Sequence, residues 1–287
     1  MVQLFFVSGA PKSGTTWLQR ILDAHPEVVC SGEGHFVEKV IRPLVQLKDD
    51  FNAKLKMDSE RVFEGKPYYE PLADTDVAPL ARSLILHVMG KRVRGPEIKA
   101  VGDKTPRYTH GLNSLAALFP QSRFVNIVRH PADVAVSMLH HAYRVGNADA
   151  LTLETPVHRQ LAGNSANAWR NAQTYVAAFQ SKQPGRLHQV RYEDLQQSGP
   201  DVMAEVFRFI GVHDGADAVE AALAESSFEK LSGRKPGDEN PTSFFRKGVV
   251  GDWMGRLDAE ALRVLDEQCG ELMKPEGYAL EQAGAEA

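Results

Sequence analysis

The sequence predicts an α/β fold, in which helices flank a single doubly wound parallel β-sheet. Two observations predict it. Short apolar runs bounded by polar or helix-breaking residues are typical of buried parallel strands, and they occur at 4–7, 98–101, 124–128 and 187–190. Helical periodicity fills the intervals between and after them, at 111–118, 131–145, 165–181, 200–210, 215–225 and 258–273. Strands that alternate with helices at this spacing form right-handed crossover units.

The first strand, 4–7, leads through a loop rich in Gly, Pro and Ser into an amphipathic helix. The spacing of the apolar residues predicts that this helix begins near Gly14 and Thr15. A strand, a Gly-containing loop and a helix in this order can bind an anion, because backbone N–H groups are free at the helix N-terminus.

Three segments interrupt the alternation of strands and helices. Residues 36–96 combine helical periodicity with a polar middle, and we expect a helical insertion that caps the sheet edge. Residues 146–164 and 232–253 are rich in Gly, Asn, Pro and Ser, which favours long functional loops. Because the alternation continues on both sides of these segments, we expect one domain over residues 1–287.

The composition excludes several classes of partner. The chain has 287 residues with 33 Lys+Arg and 37 Asp+Glu, a net charge of −4, which argues against bulk nucleic acid or an anionic membrane as partner. The two cysteines, Cys30 and Cys269, lack the spacing of a disulfide scaffold or a zinc site. No apolar stretch is long enough for a signal sequence or a membrane span. We therefore expect a cytoplasmic protein.

The loop Gly9–Thr16, GAPKSGTT, differs from the Walker A pattern in one informative way. Both glycines and the last hydroxyl are present, but Thr15 replaces the lysine, and Lys12 lies inside the loop. This favours a donor with a shorter phosphate chain than a triphosphate. The strand 124–128 leads into Arg129 instead of a magnesium-binding aspartate, so we expect a metal-free reaction and no metal site. The alternative is a tight turn with a hydroxyl cap and no ligand.

Two further segments carry cations that suit an anion. Arg129 follows a strand, and Ser137 comes two helical turns later, so a guanidinium and a hydroxyl could hold one phosphate together. Arg246, Lys247 and Gly248 lie in a loop before the last long helix. Taken alone, each segment has a plain alternative, a solvated surface cation or a basic turn.

Four motifs together resemble the sulfotransferase family that uses 3′-phosphoadenosine 5′-phosphosulfate (PAPS). They are PKSGTTWL at 11–18, VRHPADVAVS at 128–137, RYEDL at 191–195 and RKGVVGDW at 246–253. The resemblance spans the chain and implies PAPS as co-substrate, adenosine 3′,5′-bisphosphate as product, and in-line sulfuryl transfer to a hydroxyl or amine.

The resemblance also implies roles for particular residues. The 5′-phosphosulfate would be held by a P-loop-like segment, and the 3′-phosphate by the two later cationic segments. The implied 5′ set is Lys12, Ser13, Gly14, Thr15 and Thr16, with Trp17 next to them. The implied 3′ set is Arg129, Ser137, Arg246, Lys247 and Gly248, and Tyr192 would lie near the adenine.

The catalytic groups are expected on three segments. Lys12 would stabilise charge on the bridging oxygen. Asp103 is our first candidate for the base, because GDKTP resembles the EKTP element of glycosaminoglycan sulfotransferases. Glu33 is second, because it resembles the Gly-Glu element of tyrosylprotein sulfotransferases, and His35 is third. Lys104 would orient the base or the sulfonate. The alternatives are structural roles, such as an ion pair between Asp103 and Lys104.

The acceptor stays open at this stage. We expect a small-molecule, sugar or lipid-alcohol acceptor, and the sequence predicts no oligomeric state. Two other functions are compatible with the loop: a small-molecule kinase with an altered P-loop, and a nucleotide-binding module that lacks catalysis.

Overall fold

The structure, a computed structural model, describes residues 2–240 and 243–280. Within these ranges five parallel strands form one sheet in the order β2-β3-β1-β4-β5. The strands are β1 (Gln3–Gly9), β2 (Val28–Gly32), β3 (Ala100–Lys104), β4 (Arg123–Val128) and β5 (Leu187–Arg191). The predicted doubly wound α/β fold is confirmed.

Helices connect the strands. They are α1 (Thr15–Asp23), α2 (Arg42–Val62), α3 (Asp74–Gly90), α4 (Leu112–Leu118), α5 (Pro131–Arg144), α6 (Pro156–Lys182), α7 (Tyr192–Gln197), α8 (Gly199–Ile210), α9 (Ala216–Glu225), α10 (Phe228–Ser232) and α11 (Ala259–Met273). A π-helical turn, Val37–Ile41, precedes α2. The predicted helical insertion, 36–96, thus consists of this turn, α2 and α3.

The structure differs from the sequence prediction at several places: β3 runs over Ala100–Lys104 instead of 98–101, and α7 and α10 were not predicted. The edge strand β2 was not predicted, because VVCSG is short and ends in small residues. The predicted loop 146–164 is wrong in its second half, since α6 begins at Pro156. Thr155 caps this helix by accepting a hydrogen bond from the backbone N–H of His158 at 3.1 Å, and Pro156 occupies the first helical position.

Apolar side chains cover both faces of the sheet. On one face, Phe5 and Val125 pack with residues of α1 and α8, among them Leu18 and Phe207. The other face packs against α4 and α6 through Phe6 and its neighbours. Strands buried on both faces explain the continuous apolar runs in the sequence.

The sheet order places the functional residues at one edge. The chain leaves β1 first toward β2 and β3 on one side, and later continues to β4 and β5 on the other. In such a sheet the carboxyl ends of the central strands border a crevice that binds ligands. Gly9 at the end of β1 pairs with Ile127 of β4, and Val7 pairs with Lys104 of β3. The phosphate loop, Arg129 and Lys104 therefore meet at this edge.

Candidate active site

The loop between β1 and α1 has the backbone of an anion cradle. Lys12 and Gly14 adopt positive φ angles of 75° and 96°, and α1 starts at Thr15 without a side-chain cap. The first N–H groups of the helix are therefore open to a ligand. Ser13 is fully buried, yet its Oγ has no hydrogen-bond partner among the described residues. A buried hydroxyl of this kind fits a loop that closes around an anion.

Tyr192, the first residue of α7, joins the loop to the rest of the site. A Cβ placed on Gly14 would lie 2.6 Å from Tyr192 Cδ2, so only glycine fits between the loop and this ring. The Tyr192 ring also contacts Trp17 edge-on, with centroids 5.5 Å apart. The Arg129 guanidinium lies over its face at 4.3 Å from the centroid. The loop and the second cationic segment thus share one aromatic side chain.

Arg129 is held at the end of β4 with few polar partners. Its residue is 9% exposed, and Nη2 donates a hydrogen bond to the carbonyl of Val249 at 3.0 Å. Its Nε is buried without a hydrogen-bond partner among the described residues. Ser137 is half-buried two turns further along α5. The guanidinium keeps donors for a ligand because the protein does not use them all.

The C-terminal loop that contains Arg246, Lys247 and Gly248 binds its own counter-ion. Lys247 Nζ lies 2.6 Å from Asp252 Oδ1, and Arg246 is hydrogen-bonded to Asp252 and to Glu239. Burial favours a higher pKa for Asp252, but the hydrogen bonds and charges of Lys247 and Arg246 outweigh it and lower that pKa. This carboxylate stays ionised and holds both cations in place.

Two further side chains connect the C-terminal loop to the phosphate site. Asp133, at the start of α5, accepts hydrogen bonds from the backbone N–H groups of Gly251 at 2.9 Å and Trp253 at 3.1 Å. Gln196 Nε2 donates to the Tyr192 hydroxyl at 3.0 Å and to the Gly248 carbonyl at 3.5 Å. The three predicted phosphate-binding segments therefore meet around Tyr192.

Glu33 and Lys104 form the polar pair at the other side of the loop. Lys104 is 2% exposed, and its Nζ donates to Glu33 Oε1 at 2.8 Å and to Thr16 Oγ1 at 3.3 Å. The Glu33 side chain is 50% exposed, and its second oxygen lies 3.2 Å from His35 Nε2. Burial favours a higher pKa for Glu33, but Lys104 and His35 outweigh it and lower that pKa. The carboxylate is ionised at neutral pH and faces the crevice.

Asp103 lies behind this pair and anchors the turn that carries Glu33. It is 1% exposed and accepts hydrogen bonds from Tyr108 Oη at 2.6 Å, Thr105 Oγ1 at 3.1 Å and the Gly34 N–H at 3.1 Å. The next two N–H groups of the turn donate to the Thr105 and Tyr108 hydroxyls. Burial raises the pKa of Asp103. Its oxygens are already occupied by protein donors.

This anchoring keeps the Glu33 turn in a strained backbone conformation. Glu33 and His35 have φ angles of 58° and 48°, which lie in the left-handed region. Non-glycine residues adopt this region when the surrounding contacts fix it, and such positions cluster at functional sites.

Lys12 lies in a partly desolvated and cationic part of the site. Burial lowers the pKa of its ammonium to about 8, with a further decrease from Arg144 and an opposing increase from Glu33. The ammonium lies 5.6 Å from the centroid of the Phe244 ring. A desolvated cation next to an open cradle is suited to an anionic ligand.

The structure brings the predicted residues together and adds others that the sequence did not indicate. The added residues are Asp133, Gln196 and Asp252. The contacts of Asp133 and Gln196 span 120 and 52 residues of sequence, and those of Asp252 lie within an irregular loop. The sequence contained a clue to Asp252, because this residue directly follows the cationic segment RKGVVG at 246–251. Arg129 lies over the ring of Tyr192, and Gly14 of the phosphate loop packs against the same ring.

Comparison with known proteins decides the family. The model of the Sulfotransferase family matches residues 5–215. The chain belongs to the Sulfotransferase family. This sulfotransferase is 23% identical over 265 residues to protein-tyrosine sulfotransferase 2 of Gallus gallus, covering 91% of this chain and 65% of the chicken protein. It therefore spans slightly less than two thirds of that relative's length. The predicted family resemblance is confirmed.

Solved structures show the same fold for this sulfotransferase. Mouse sulfotransferase SULT7A1, crystallised with PAP, matches with a TM-score of 0.58 and 18% identity over 95% of this chain and 84% of the mouse chain. The sulfotransferase domain of the Synechococcus PCC 7002 olefin synthase matches with a TM-score of 0.54 and 18% identity over 98% of this chain and 96% of that domain.

None of the helices found in 2–240 and 243–280 has the length and apolar character needed to cross a bilayer. No cluster of three His, Cys, Asp or Glu side chains in these ranges is arranged to hold a metal ion.

Proposed function

We propose that the protein transfers the sulfuryl group of PAPS to a hydroxyl, or an amine, of a small-molecule, sugar or lipid-alcohol acceptor. One observation carries the proposal: the three cationic segments converge on Tyr192. Gly14 packs on its ring, Arg129 lies over its face, and Gln196 ties its hydroxyl to the Gly248 carbonyl. A nucleotide with phosphates at two positions of its ribose needs two anion sites on either side of an aromatic platform.

The residues of the crevice fit this donor. The unpartnered Ser13 Oγ and the open N-terminus of α1 suit the 5′-phosphosulfate, together with Lys12, Thr15 and Thr16. The unpartnered Nε of Arg129 suits the 3′-phosphate. The other groups proposed for the 3′-phosphate are Ser137, Arg246, Lys247 and Gly248. Trp17, which is half-buried, supplies aromatic surface for the adenine, and the buried Tyr192 ring supports it from the side.

PAPS supplies an activated sulfuryl group, whose bridging oxygen gains negative charge as the S–O bond breaks. Lys12 and the buried Lys104 place positive charge at this part of the crevice, where the low dielectric strengthens its effect. Because Glu33 and Thr16 hold the Lys104 amine in place, this cation needs little reorganisation during the reaction.

We propose Glu33 as the base that accepts the acceptor's proton. Its carboxylate is ionised, half-exposed and held by Lys104 and His35 at the mouth of the crevice. Asp103, the first candidate from sequence, has its oxygens bound to Tyr108, Thr105 and Gly34 and is almost fully buried. An acceptor cannot reach it without breaking those bonds, so we assign it a positioning role. His35 orients Glu33.

Calorimetry separates this proposal from a kinase. A sulfotransferase binds adenosine 3′,5′-bisphosphate without metal, whereas a kinase binds ATP only with Mg²⁺ and ignores the bisphosphate. Thr15 in place of the P-loop lysine and Arg129 after β4 favour the first outcome. Mg²⁺-dependent ATP binding with no affinity for the bisphosphate contradicts the proposal.

A transfer assay separates it from an inactive nucleotide-binding module. Radiolabelled sulfate from PAPS is offered to a panel of phenols, sugars and lipid alcohols. We expect at least one labelled product, and Glu33→Gln should abolish the labelling while bisphosphate binding persists. Absence of label on the whole panel, with donor hydrolysis unchanged in Glu33→Gln, favours the inactive module.

We also propose a cytoplasmic location. Cys30 and Cys269 are both free and buried, as is common in a reducing compartment. Fractionation of cells that express the full-length protein tests this.

A further inference from the structure

Arg144, in the last turn of α5, is a cation with no role in the proposed donor site. Its Nη2 donates a hydrogen bond to His141 Nδ1 at 2.9 Å. Within the described residues it makes no ion pair with a carboxylate. A guanidinium has five N–H donors, so most of them are open to a ligand. His141 accepts this bond as a neutral ring, and burial, Lys12 and Arg144 all lower its pKa.

Arg144 lies at the opposite end of α5 from Arg129. Arg129 precedes the first residue of α5, and Arg144 is its last residue, so the helix separates them by about 20 Å at 1.5 Å per residue. Its neighbours are instead those of the reacting end of the crevice. Arg144 is the strongest charge acting on Lys12, and Glu33 also acts on Lys12.

Phe244 forms the outer wall of this region. The Lys12 ammonium and the Arg144 guanidinium each lie 5.6 Å from the centroid of its ring. The ring is 55% exposed and packs edge-on against Phe245, with centroids 5.1 Å apart. Lys12 and Arg144 therefore lie next to one partly exposed aromatic side chain.

The charges in this region do not balance. Glu33 is already paired with Lys104 and His35. Lys12 belongs to the phosphosulfate loop, so the donor uses its charge. Arg144 is then left without a counter-ion at the acceptor entrance, although the chain as a whole has a net charge of −4. A partly buried cation in this position favours binding of an anion.

We propose that Arg144 is a specificity-determining residue and that the acceptor carries an anionic group, such as a carboxylate or a phosphate, besides the hydroxyl that is sulfated. This inference rests on the proposed function and names the substrate class of the same site. The acceptor's anion pairs with Arg144, and its carbon skeleton lies against Phe244, while its hydroxyl reaches Glu33.

Binding of matched compounds tests the inference. The protein is first saturated with adenosine 3′,5′-bisphosphate, and that step is measured by itself. Three pairs are then titrated by calorimetry: 4-hydroxyphenylacetate, glucuronate and 12-hydroxydodecanoate, each against its methyl ester. We expect the anion of at least one pair to bind about tenfold more tightly than its ester, as a charge-assisted hydrogen bond provides.

Variants assign the effect to Arg144. Arg144→Gln should remove the preference for the anion and leave bisphosphate affinity within about twofold, since Arg144 is not among the groups proposed to bind the donor and Lys12 is already about 90% charged at pH 7. The matched control is Arg94→Gln, which removes an exposed cation before the amino end of β3 and should keep the preference.

Several results overturn the inference. For the wild-type protein, these are equal binding of anion and ester in every pair, or no binding of any compound at millimolar concentration. For Arg144→Gln, they are an anion preference that survives, or a large loss of bisphosphate affinity. The last result would make Arg144 a donor residue. Failure of the wild-type protein to bind bisphosphate contradicts the proposed function itself, so the two failures are distinguishable.

Discussion

The affinity for adenosine 3′,5′-bisphosphate should fall as the pH rises through the pKa of Lys12. Burial and Arg144 lower the pKa of this ammonium to about 8 in the free protein. An amine with a lowered pKa is charged below that value and loses its charge as the pH rises through it. The ligand's phosphates are fully ionised above pH 7, since their second pKa is about 6. Loss of the lysine charge is therefore the main change between pH 7 and pH 9.

The size of the effect follows from the titration. With a pKa of about 8, about 90% of Lys12 is charged at pH 7 and about 10% at pH 9. If only the charged form binds, the dissociation constant rises about tenfold over this range, which corresponds to about 1.4 kcal/mol. A lysine with its usual pKa of about 10.4 would give almost no change.

Calorimetry at several pH values provides the assay, and Lys12→Arg is the matched control because arginine stays charged throughout. We expect a tenfold loss for the wild-type protein and an almost constant affinity for the variant. A flat wild-type profile refutes the reasoning about Lys12. If the affinity fell equally with pH in the wild-type protein and in Lys12→Arg, the titrating group would be one other than Lys12.

Three further predictions concern single side chains. Arg129→Ala should weaken bisphosphate binding tenfold or more in calorimetry, in line with about 1.5–3 kcal/mol for a charge-assisted hydrogen bond; unchanged affinity would remove Arg129 from the donor site. Glu33→Gln should lower kcat by about 10²–10⁴ at constant bisphosphate affinity, whereas Asp103→Asn should lower the free energy of unfolding by about 1–3 kcal/mol in urea titrations; the reverse pattern would restore Asp103 as the base. Asp133→Ala should weaken bisphosphate binding and speed proteolysis within 243–258, because the loop loses both backbone anchors; an unchanged cleavage rate would contradict this.

Much of the proposed donor site was indicated by the sequence, because its signals are local. A strand followed by GAPKSGTT defines both the backbone cradle and the helix that starts at Thr15. The same holds for Arg129, which stands two residues before a helix with His130 as its N-cap and Pro131 at its first position. In these segments the residue types that bind an anion are also those that shape the turn. A short stretch of sequence therefore indicates both the turn and the anion site.

The sequence named Glu33 as the second candidate for the base but could not place it next to Lys104, because that position depends on strand β2, which the sequence did not reveal. Strand β2 pairs with β3 so that Gly32 is opposite Lys104, which places the Glu33 turn next to the end of β3. Successive residues of a strand point to opposite faces. Lys104 therefore reaches Thr16 and Glu33, while Asp103 turns toward Tyr108. From the sequence alone, the directions of the Asp103 and Lys104 side chains could not be distinguished.

The ion pairs of Asp252 have a consequence for turnover. Arg246 and Lys247 already share an internal carboxylate, so an incoming phosphate gains less from them than from two free cations. The reduction applies equally to the intact donor and to the spent nucleotide, since both carry the same 3′-group. If Arg246 and Lys247 bind the 3′-phosphate as proposed, we expect Asp252 to shorten the residence time of the product and, where release of the nucleotide limits the rate, to speed turnover.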